Sequence, residues 1–372
     1  QAVFGFISHS NFVEHSSVNS FSSYDLQNQS EANTLGLFGQ ATVAYKDYLY
    51  FNLAARNDWY SSLEKNNRSQ FYPSFSLSLL PTQLFKQIQS THGLNYLKIR
   101  LGYGTSAGFP PLYVTQNVLS SNVRAFVSID ESGTPTTTPS NSISSILGNK
   151  SLKPELHREI EGGIETRLID NQIRLEFTAY IKNTKDLITN SDLDPACGWT
   201  NTFVNIGKIQ NKGIEAELGL TPVKTSKLDW TISGIFTKNS SVVKELAAGQ
   251  EKILISGWTN LGNFAVPGEP YGIMMGDKIL RDDDGNAIIS GTGDYQRTAE
   301  IEIIGNPNPD FELSLSNEIK FKGFTFSMLW EYRQGGDIYS ETCRTLLGRG
   351  ITKDTDFDRY QTFVLPGVKE DG

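Results

Sequence analysis

Apolar and polar residues alternate strictly along several long stretches of this chain. In the clearest stretch, Ile173, Leu175 and Phe177 occupy one phase, and Arg174 and Glu176 occupy the other. Successive side chains of a β-strand point to opposite faces of its sheet, with a period of two. The pattern therefore predicts strands with one apolar face and one polar face.

The same alternation predicts about eleven strands, and most of them are roughly 10 to 13 residues long. Strands of this length are close to the 9 to 11 residues that cross a bilayer at a tilt. In chain order, the predicted strands are 3–8, 35–45, 48–57, 71–80, 95–105, 156–168, 171–183, 209–220, 227–239, 311–321 and 323–333.

The connections between these strands alternate in length. Short turns are predicted at 46–47, 170–171, 221–227 and 322–323, with a somewhat longer connection at 81–94. Long loops are predicted at 10–34, 58–70, 106–155, 184–208 and 240–310. Loops this long are uncommon in compact domains, but outer-membrane barrels have short periplasmic turns and long extracellular loops. We therefore predict an all-β fold, a transmembrane antiparallel meander β-barrel.

A soluble β-sandwich or propeller is the alternative, because its strands also alternate. The mean hydropathy of -0.32 does not separate the two, since barrel strands carry their apolar residues only at every second position. Strand length and long loops at one end favour the barrel. A passive porin and a secreted glycan-binding or adhesin sandwich remain the alternative functions.

Charge and reactive residues narrow the function further. The net charge of -8 argues against nucleic acid as a partner, because phosphate binding needs a basic surface. The two cysteines, Cys197 and Cys343, form neither a metal motif nor a disulfide framework, and a bridge between them stays open. The four histidines are scattered, and no catalytic or phosphate-binding motif occurs. We expect neither an enzyme nor a cofactor.

Short motifs then indicate a family. In order along the chain they lie at 37–40, 48–51 with 55–58, 71–76, 97–104, 149–155, 205–215 and 304–311. Two of them read Asn-Lys-Ser-Leu-Lys-Pro-Glu at 149–155 and Ile-Gly-Asn-Pro-Asn-Pro at 304–309. Each motif is weak alone, but their common order resembles the SusC/RagA family of TonB-dependent outer-membrane transporters of Bacteroidetes.

The resemblance implies a larger protein and its partners. Barrels of this kind have 22 strands around a plugged lumen. We therefore expect residues 1–372 to form part of the barrel domain, with the plug domain and TonB box outside this chain. The implied function is active import of oligosaccharides or peptides through the bacterial outer membrane. The implied partners are outer-membrane lipid, TonB and a SusD-like surface lipoprotein.

Two sets of residues are candidates for binding. Sugar rings stack on aromatic faces, and peptides also use such surfaces, so we expect substrate contacts from loop aromatics. These aromatics are Trp59, Tyr60, Trp199, Trp258 and Tyr271. Asp282 and Asp284 are a weak metal candidate, because a calcium loop needs oxygen ligands at alternating positions and an acid downstream. A hairpin turn at Asp284-Gly285 is the preferred interpretation of that segment.

Overall fold

The computed structural model describes residues 31–129, 132–246, 250–360, 362 and 364–369. Most of this chain is β-structure. The strands are β1 (Thr34–Tyr45), β2 (Leu49–Tyr60), β3 (Ser69–Leu79), β4 (Leu94–Gly108), β5 (Leu119–Ile129), β6 (Pro135–Ile143), β7 (Ile146–Leu147), β8 (Glu155–Leu168), β9 (Ile173–Asp192), β10 (Asn201–Lys224), β11 (Leu228–Glu245), β12 (Ile253–Trp258), β13 (Leu261–Ala265), β14 (Ile273–Gly276), β15 (Ile288–Ile289), β16 (Glu302–Gly305), β17 (Pro309–Phe321), β18 (Phe324–Gly335) and β19 (Val368–Lys369).

Ten of these strands form one continuous antiparallel sheet, which we call the wall. Its order is β1-β2-β3-β4-β8-β9-β10-β11-β17-β18, so the wall is a meander interrupted by two insertions. The short strand β7 adds to β10 in parallel. Within the described residues, β1 and β18 are the two open edges of the wall. The ten predicted strands after residue 34 are confirmed, whereas the predicted strand at 3–8 lies outside the described residues.

The short turns lie at one end of the wall, and the long connections lie at the other. Lys46 and Asp47 have positive φ angles of 47° and 56°, and Lys322 and Gly323 have φ angles of 47° and 88°. Two consecutive residues with positive φ form the turn whose twist matches that of a hairpin. The predicted turn at 221–227 is shorter in the structure, because β10 continues to Lys224.

Two of the predicted long loops contain strands of their own. Strands β5 and β6 form a separate hairpin within 106–155, and β12, β13, β14 and β16 form a four-stranded sheet within 240–310. The strands of the four-stranded sheet are too short to show the long alternation that revealed the wall, and packing around Phe264, Ile273 and Met275 stabilises them. Strands β9, β10 and β11 also extend beyond their predicted ends into this region.

Within the described residues, helical structure is confined to short segments. There, two α-helices span Pro81–Leu84 (α1) and Glu341–Gly348 (α2), and 3-10 turns span Lys86–Ile88, Pro195–Cys197 and Lys353–Thr355. Helix α1 follows β3 and fills the somewhat longer connection to β4. In the part of the chain that the structure describes, no helix is long and apolar enough to span a membrane.

The hydrophobic cores lie at the long-loop end of the wall. One cluster contains Ile206, Val243, Leu246, Ile253 and Ala265, a second contains Leu63, Val114 and Leu152, and a third contains Phe264, Ile273 and Met275. Wall strands contribute to these clusters through their long-loop ends, as with Ile206 of β10 and Val243 of β11.

The apolar phase of the wall is instead exposed. Ile160 is 62% exposed, Leu315 is 41% exposed and Phe177 is 38% exposed. In a soluble sandwich a second sheet would cover such a face, and no second layer covers it within the described residues. A continuous apolar face that is left uncovered fits contact with lipid. The structure therefore favours the barrel wall over the sandwich.

The register of the wall generates a test of this orientation. Leu315 lies on the apolar phase opposite Gly234, whereas its neighbour Ser314 lies on the polar phase opposite Glu331. Leu315→Arg should block assembly in the outer membrane, because an arginine at the lipid face costs about 2 to 4 kcal/mol near the midplane. Ser314→Arg should assemble normally, as judged by heat-modifiable migration in detergent.

Equal damage by the two substitutions would contradict the assignment of the faces. Thr178 would be a poor control, although it also lies on the polar phase. It is only 7% exposed, and its hydroxyl accepts a hydrogen bond from Arg100 at 2.5 Å. A charge at Thr178 would therefore disturb packing for reasons unrelated to lipid.

Candidate functional site

The polar phase of the wall forms a concave surface, which we call the inner face. Across β2, β3 and β4 its floor is made of small residues, among them Ala54, Ser74, Ser76, Gly102 and Gly104. These small side chains leave a groove of about 690 Å³. Glu159, Glu161 and Lys182 of β8 and β9 border the groove on one side. The groove is thus a polar channel surface that bears charges of both signs.

Farther toward the short-turn end, the inner face carries rows of charge. Glu165 and Glu176 lie directly opposite each other on β8 and β9, an arrangement that is destabilising for like charges. Nearby cations compensate. Arg100 of β4 lies 2.5 Å from Glu176, Lys98 of β4 lies 3.8 Å from Glu165, and Arg167, two positions along β8, lies 3.1 Å from Glu165. These networks hold charged side chains in place along a water-accessible face.

Two of the sequence motifs meet in space at the long-loop end. The Asn205 side chain accepts a hydrogen bond from the Lys153 backbone N–H at 2.8 Å and donates to the carbonyls of Lys153 and Asp186 at 2.9 and 2.7 Å. Asn149 donates to the Phe203 carbonyl at 2.8 Å, and Leu152 is 1% exposed. We call this set of contacts the motif latch. It fastens the segment before β8 to the start of β10.

Gly207, in the same motif, is required by a close approach of two strands. Its φ angle is +25°, and a Cβ atom there would lie 1.5 Å from the carbonyl oxygen of Glu245. Only glycine leaves room for β11 at this point. The pairing of β10 with β11 shifts register next to it, between Lys208 and Ile209.

A third motif ties the four-stranded sheet to the wall. The Asn306 backbone N–H donates to the Asp337 carboxylate at 2.7 Å, and the Asp337 N–H donates to the Asn306 carbonyl at 2.8 Å. Asn308 donates to the Tyr271 carbonyl at 3.1 Å. These bonds connect β16, the start of β17 and the segment after β18. The motif therefore positions the folded loops above the wall.

Trp59 and Tyr60 do not lie in a loop as predicted. They are the last two residues of β2, because the strand continues beyond its predicted end. Trp59 pairs with Leu35 in the apolar phase, where aromatic residues mark the edge of the membrane. Tyr60 stacks on Phe109, with ring centroids 4.7 Å apart. That stack covers one side of the Tyr60 ring.

The other three aromatics lie among the folded loops. Trp199 precedes β10, and its indole N–H is buried without a hydrogen-bond partner in the described part of the chain. Trp258 ends β12, is 60% exposed and lines a small cavity together with Met274 and Tyr339. Tyr271 packs against the cluster of Ile206. Burial, and secondarily the charge of Glu155, raises the pKa of Tyr271.

The five predicted aromatics therefore do not form one pocket. All of them lie at the long-loop end of the wall, as expected, but they are distributed over β2, the start of β10 and the four-stranded sheet. Trp258 is the most open of the residues that lie away from the wall. A role in substrate contact stays a prediction for each of them.

The segment at 282–286 forms the predicted hairpin turn. The Asp282 carboxylate accepts hydrogen bonds from the backbone N–H groups of Asp284 and Asn286 at 3.1 and 2.7 Å and from the Asn286 side chain at 3.1 Å. Gly285 has a φ angle of 85°, and Arg281 pairs with Ala287 across the turn. The Asp282 oxygens thus bind the turn itself. The described residues contain no group of three or more acidic, histidine or cysteine side chains that could hold a metal ion.

The motif at 55–58 forms a polar cluster with Tyr72 on the inner face of β2 and β3, which sequence reasoning did not assign to a site. Arg56 Nε donates to both carboxylate oxygens of Asp58 at 2.8 and 2.9 Å, and the Tyr72 hydroxyl also donates to Asp58. Asp58 is only 5% exposed. The spacing of Arg56 and Asp58, two positions apart in a strand, was the available signal, since it places both side chains on one face.

The long meander, its exposed apolar phase and its polar inner face define a β-barrel protein of the bacterial outer membrane. Residues 3–270 match the sequence model of the family described as TonB dependent receptor-like, beta-barrel. The chain belongs to this family. The family is one of receptors and not of enzymes, which agrees with the prediction from the missing catalytic motifs.

Similar proteins support the same assignment. The chain is 24% identical over 357 residues to TonB-dependent receptor P3 of Formosa agariphila, and this alignment covers 87% of this chain and 34% of that protein. It is 22% identical over 336 residues to TonB-dependent receptor SusC of Bacteroides thetaiotaomicron, and this alignment covers 79% of this chain and 30% of that protein. The chain thus spans about one third of the length of these curated relatives. The predicted resemblance to the SusC/RagA family is confirmed.

Solved structures share the fold. The structure of the RagAB peptide transporter superposes with a TM-score of 0.67 at 20% identity, over 82% of this chain and 34% of that chain. The outer membrane transporter YddB from Escherichia coli superposes with a TM-score of 0.50 at 13% identity, over 84% of this chain and 35% of that chain. At these identities the likeness shows the barrel fold alone.

The motif latch generates a stability prediction. Asn205→Ala would leave two backbone carbonyls and one N–H without their partners, at a cost of about 1 to 3 kcal/mol for each group that stays buried. We expect faster cleavage of the 145–155 and 184–208 segments by added protease, while the wall stays assembled. Asn66→Ala is the matched control, since Asn66 is exposed and makes no hydrogen bond within the described residues. Equal protease resistance of the two variants would contradict the latch.

The hairpin at Asp282 generates a prediction on pH. Hydrogen bonds from Asn286, and then from the backbone of Asp284 and Gly285, lower the pKa of the Asp282 carboxyl. The ionised form therefore stabilises the turn at neutral pH, and this contribution is lost as the pH falls below about 4 through the lowered pKa. Asp282→Ala should speed amide hydrogen exchange at Asn286 at pH 7 and change it little in acid. Asp283→Ala should leave that exchange unchanged.

Proposed function

We propose that this chain forms part of the barrel of a TonB-dependent transporter that imports oligomeric nutrients through the outer membrane. The observation that carries the proposal is the two-sided wall, with an uncovered apolar phase on one side and a charged, polar inner face on the other. The chain belongs to the receptor barrel family, and it has folded loops at one end of the wall. Both features agree with this role.

The plug domain and the TonB-contacting segment would belong to other parts of a longer protein. The relatives support this, since the chain covers about one third of their length. In this proposal, residues 1–372 supply barrel strands, and energy from TonB reaches the barrel through the plug. A polar inner face with charges of both signs would serve both to contact a plug and to let hydrophilic substrates pass.

A SusD-like surface lipoprotein would cover the long-loop end. Support comes from the similarity to SusC and from the RagAB structures, where a barrel protein works in peptide transport. The loops of this chain are themselves folded, with three hydrophobic clusters and the motif latch. A rigid platform of this kind suits the docking of a second protein better than loose loops would.

The substrate would be an oligosaccharide or a peptide. Trp258, with its exposed ring at the end of β12, is the strongest of the proposed contacts. Trp59, Tyr60, Trp199 and Tyr271 are proposed contacts as well, but packing in the structure occupies part of each side chain. Stacking of sugar rings or peptide side chains on such aromatics would orient the substrate above the inner face.

Uptake and partner capture would test this proposal. We expect cells carrying the intact protein to accumulate a labelled oligomer only while TonB and the proton motive force are intact. We also expect a surface lipoprotein of the SusD type to co-purify with the protein from outer membranes. Uptake that persists without TonB would indicate a passive porin and would overturn the proposal. A protein that is soluble and monomeric without detergent would overturn it as well.

A further inference from the structure

We propose that a carboxylate-binding site lies on the inner face at the long-loop end of the wall, formed by Arg56 and Phe38. Gly36, Asp58 and Tyr72 hold Arg56 in position. The proposal deepens the proposed import function and rests on it, because it names an acidic group as part of the substrate. The pairing of β1, β2 and β3 places all five residues on one face: Gly36 lies opposite Asp58, and Phe38 and Tyr72 both lie opposite Arg56.

The orientation of Arg56 is fixed from one side only. Its Nε atom donates to both oxygens of Asp58, whose side chain is 7% exposed and also accepts a hydrogen bond from Tyr72. The Tyr72 hydroxyl, which donates to Asp58, also interacts with the guanidinium. The Arg56 side chain is 43% exposed. The exposed part of the guanidinium is thus presented to the inner face by a buried carboxylate.

Gly36 provides the space that this arrangement needs. A Cβ atom at Gly36 would lie 2.5 Å from Nη2 of Arg56 and 2.6 Å from Oδ1 of Asp58. Such contacts are too short, so any larger residue would push the guanidinium away from its place. The positions of Gly36, Arg56 and Asp58 therefore depend on one another.

Phe38 adds an apolar surface beside the guanidinium. Its ring lies 5.9 Å from Cζ of Arg56 and is 71% exposed on β1, the edge strand of the described part of the wall. The ring contributes cation–π stabilisation to Arg56 as well.

The chemistry of the site points to a carboxylate. A guanidinium offers two parallel N–H donors, which match the two oxygens of a carboxylate. An apolar or ring-shaped group attached to that carboxylate would cover Phe38. The carboxylate of a peptide C-terminus and that of a uronic acid both have this form. A purely structural Arg56–Asp58 pair is the competing explanation, and the variants below distinguish it.

Matched ligand pairs test the site in the intact protein, purified in detergent. One pair is a short peptide with a free C-terminal carboxylate and the same peptide with a C-terminal amide. The other is a uronate disaccharide and its methyl ester. We expect the acid form of one pair to bind about tenfold or more tightly than its neutral form, as a charge-assisted hydrogen-bond pair would give. The pair that shows this preference identifies the source of the carboxylate.

Variants assign the preference to Arg56. Arg56→Gln should abolish the preference for the acid form, and Arg56→Lys should reduce this preference, because lysine keeps the charge but lacks the two parallel N–H donors. Gly36→Ala should also reduce it while leaving the arginine in the chain. Arg344→Gln is the matched control, since Arg344 forms a similar pair with Glu341 at 2.7 Å on helix α2, and we expect no change in preference.

Assembly of each variant is checked by heat-modifiable migration, and the lysine and alanine variants carry the test if Arg56→Gln does not assemble. Equal binding of acid and neutral forms by the wild-type protein would overturn the site. Assembled Arg56 variants that keep the full preference would overturn it too. Both results come from binding to purified protein, so they are independent of the uptake experiment. Uptake that needs TonB but shows no acid preference would remove this site and leave the proposed function intact.

Discussion

Hydrogen bonding of the backbone in lipid is the constraint on which the rest of this structure depends. A strand in a membrane must pair all its N–H and C=O groups with neighbours, because no water is available to them. The wall meets this demand through continuous antiparallel pairing from β1 to β18. Because the backbone is satisfied in this way, the side chains need only alternate between apolar and polar along each strand. The uncovered apolar phase and the charged inner face both follow from that single sheet.

Sequence alone could predict the wall because its signal is repeated and local. Ten strands, the turns at Lys46-Asp47 and Lys322-Gly323, and the faces of Phe177 and Leu315 all follow from a period of two. The four-stranded sheet could not be predicted in this way. Its strands have only four to six residues, and packing around Phe264, Ile273 and Met275 decides their structure.

The candidate sites also combine features that the sequence predicts with features that only the structure reveals. Alternation predicts that Arg56 and Asp58 share one face of β2, but the position of Tyr72, the contacts of the three residues and the space at Gly36 needed coordinates. Likewise, the sequence shows the motifs at 149–155 and 205–215 without a reason for them. The hydrogen bonds of Asn205 to Lys153 and Asp186 explain why an asparagine occupies position 205. The prediction of the aromatics rests on residue type and on the predicted loops, and the longer β2 places Trp59 and Tyr60 in a strand instead.

The two insertions in the meander have a consequence for the order of assembly. Most wall strands pair with their immediate neighbour in the chain across a connection of 14 residues or fewer, whereas β4 must find β8, and β11 must find β17, across long folded segments. Closing a long loop costs more chain entropy and makes pairing slower. We therefore expect the wall to form as three preassembled sheets, β1 to β4, β8 to β11 and β17 to β18. The pairings of β4 with β8 and of β11 with β17 would form last, and they are the places where a folding catalyst of the membrane would act.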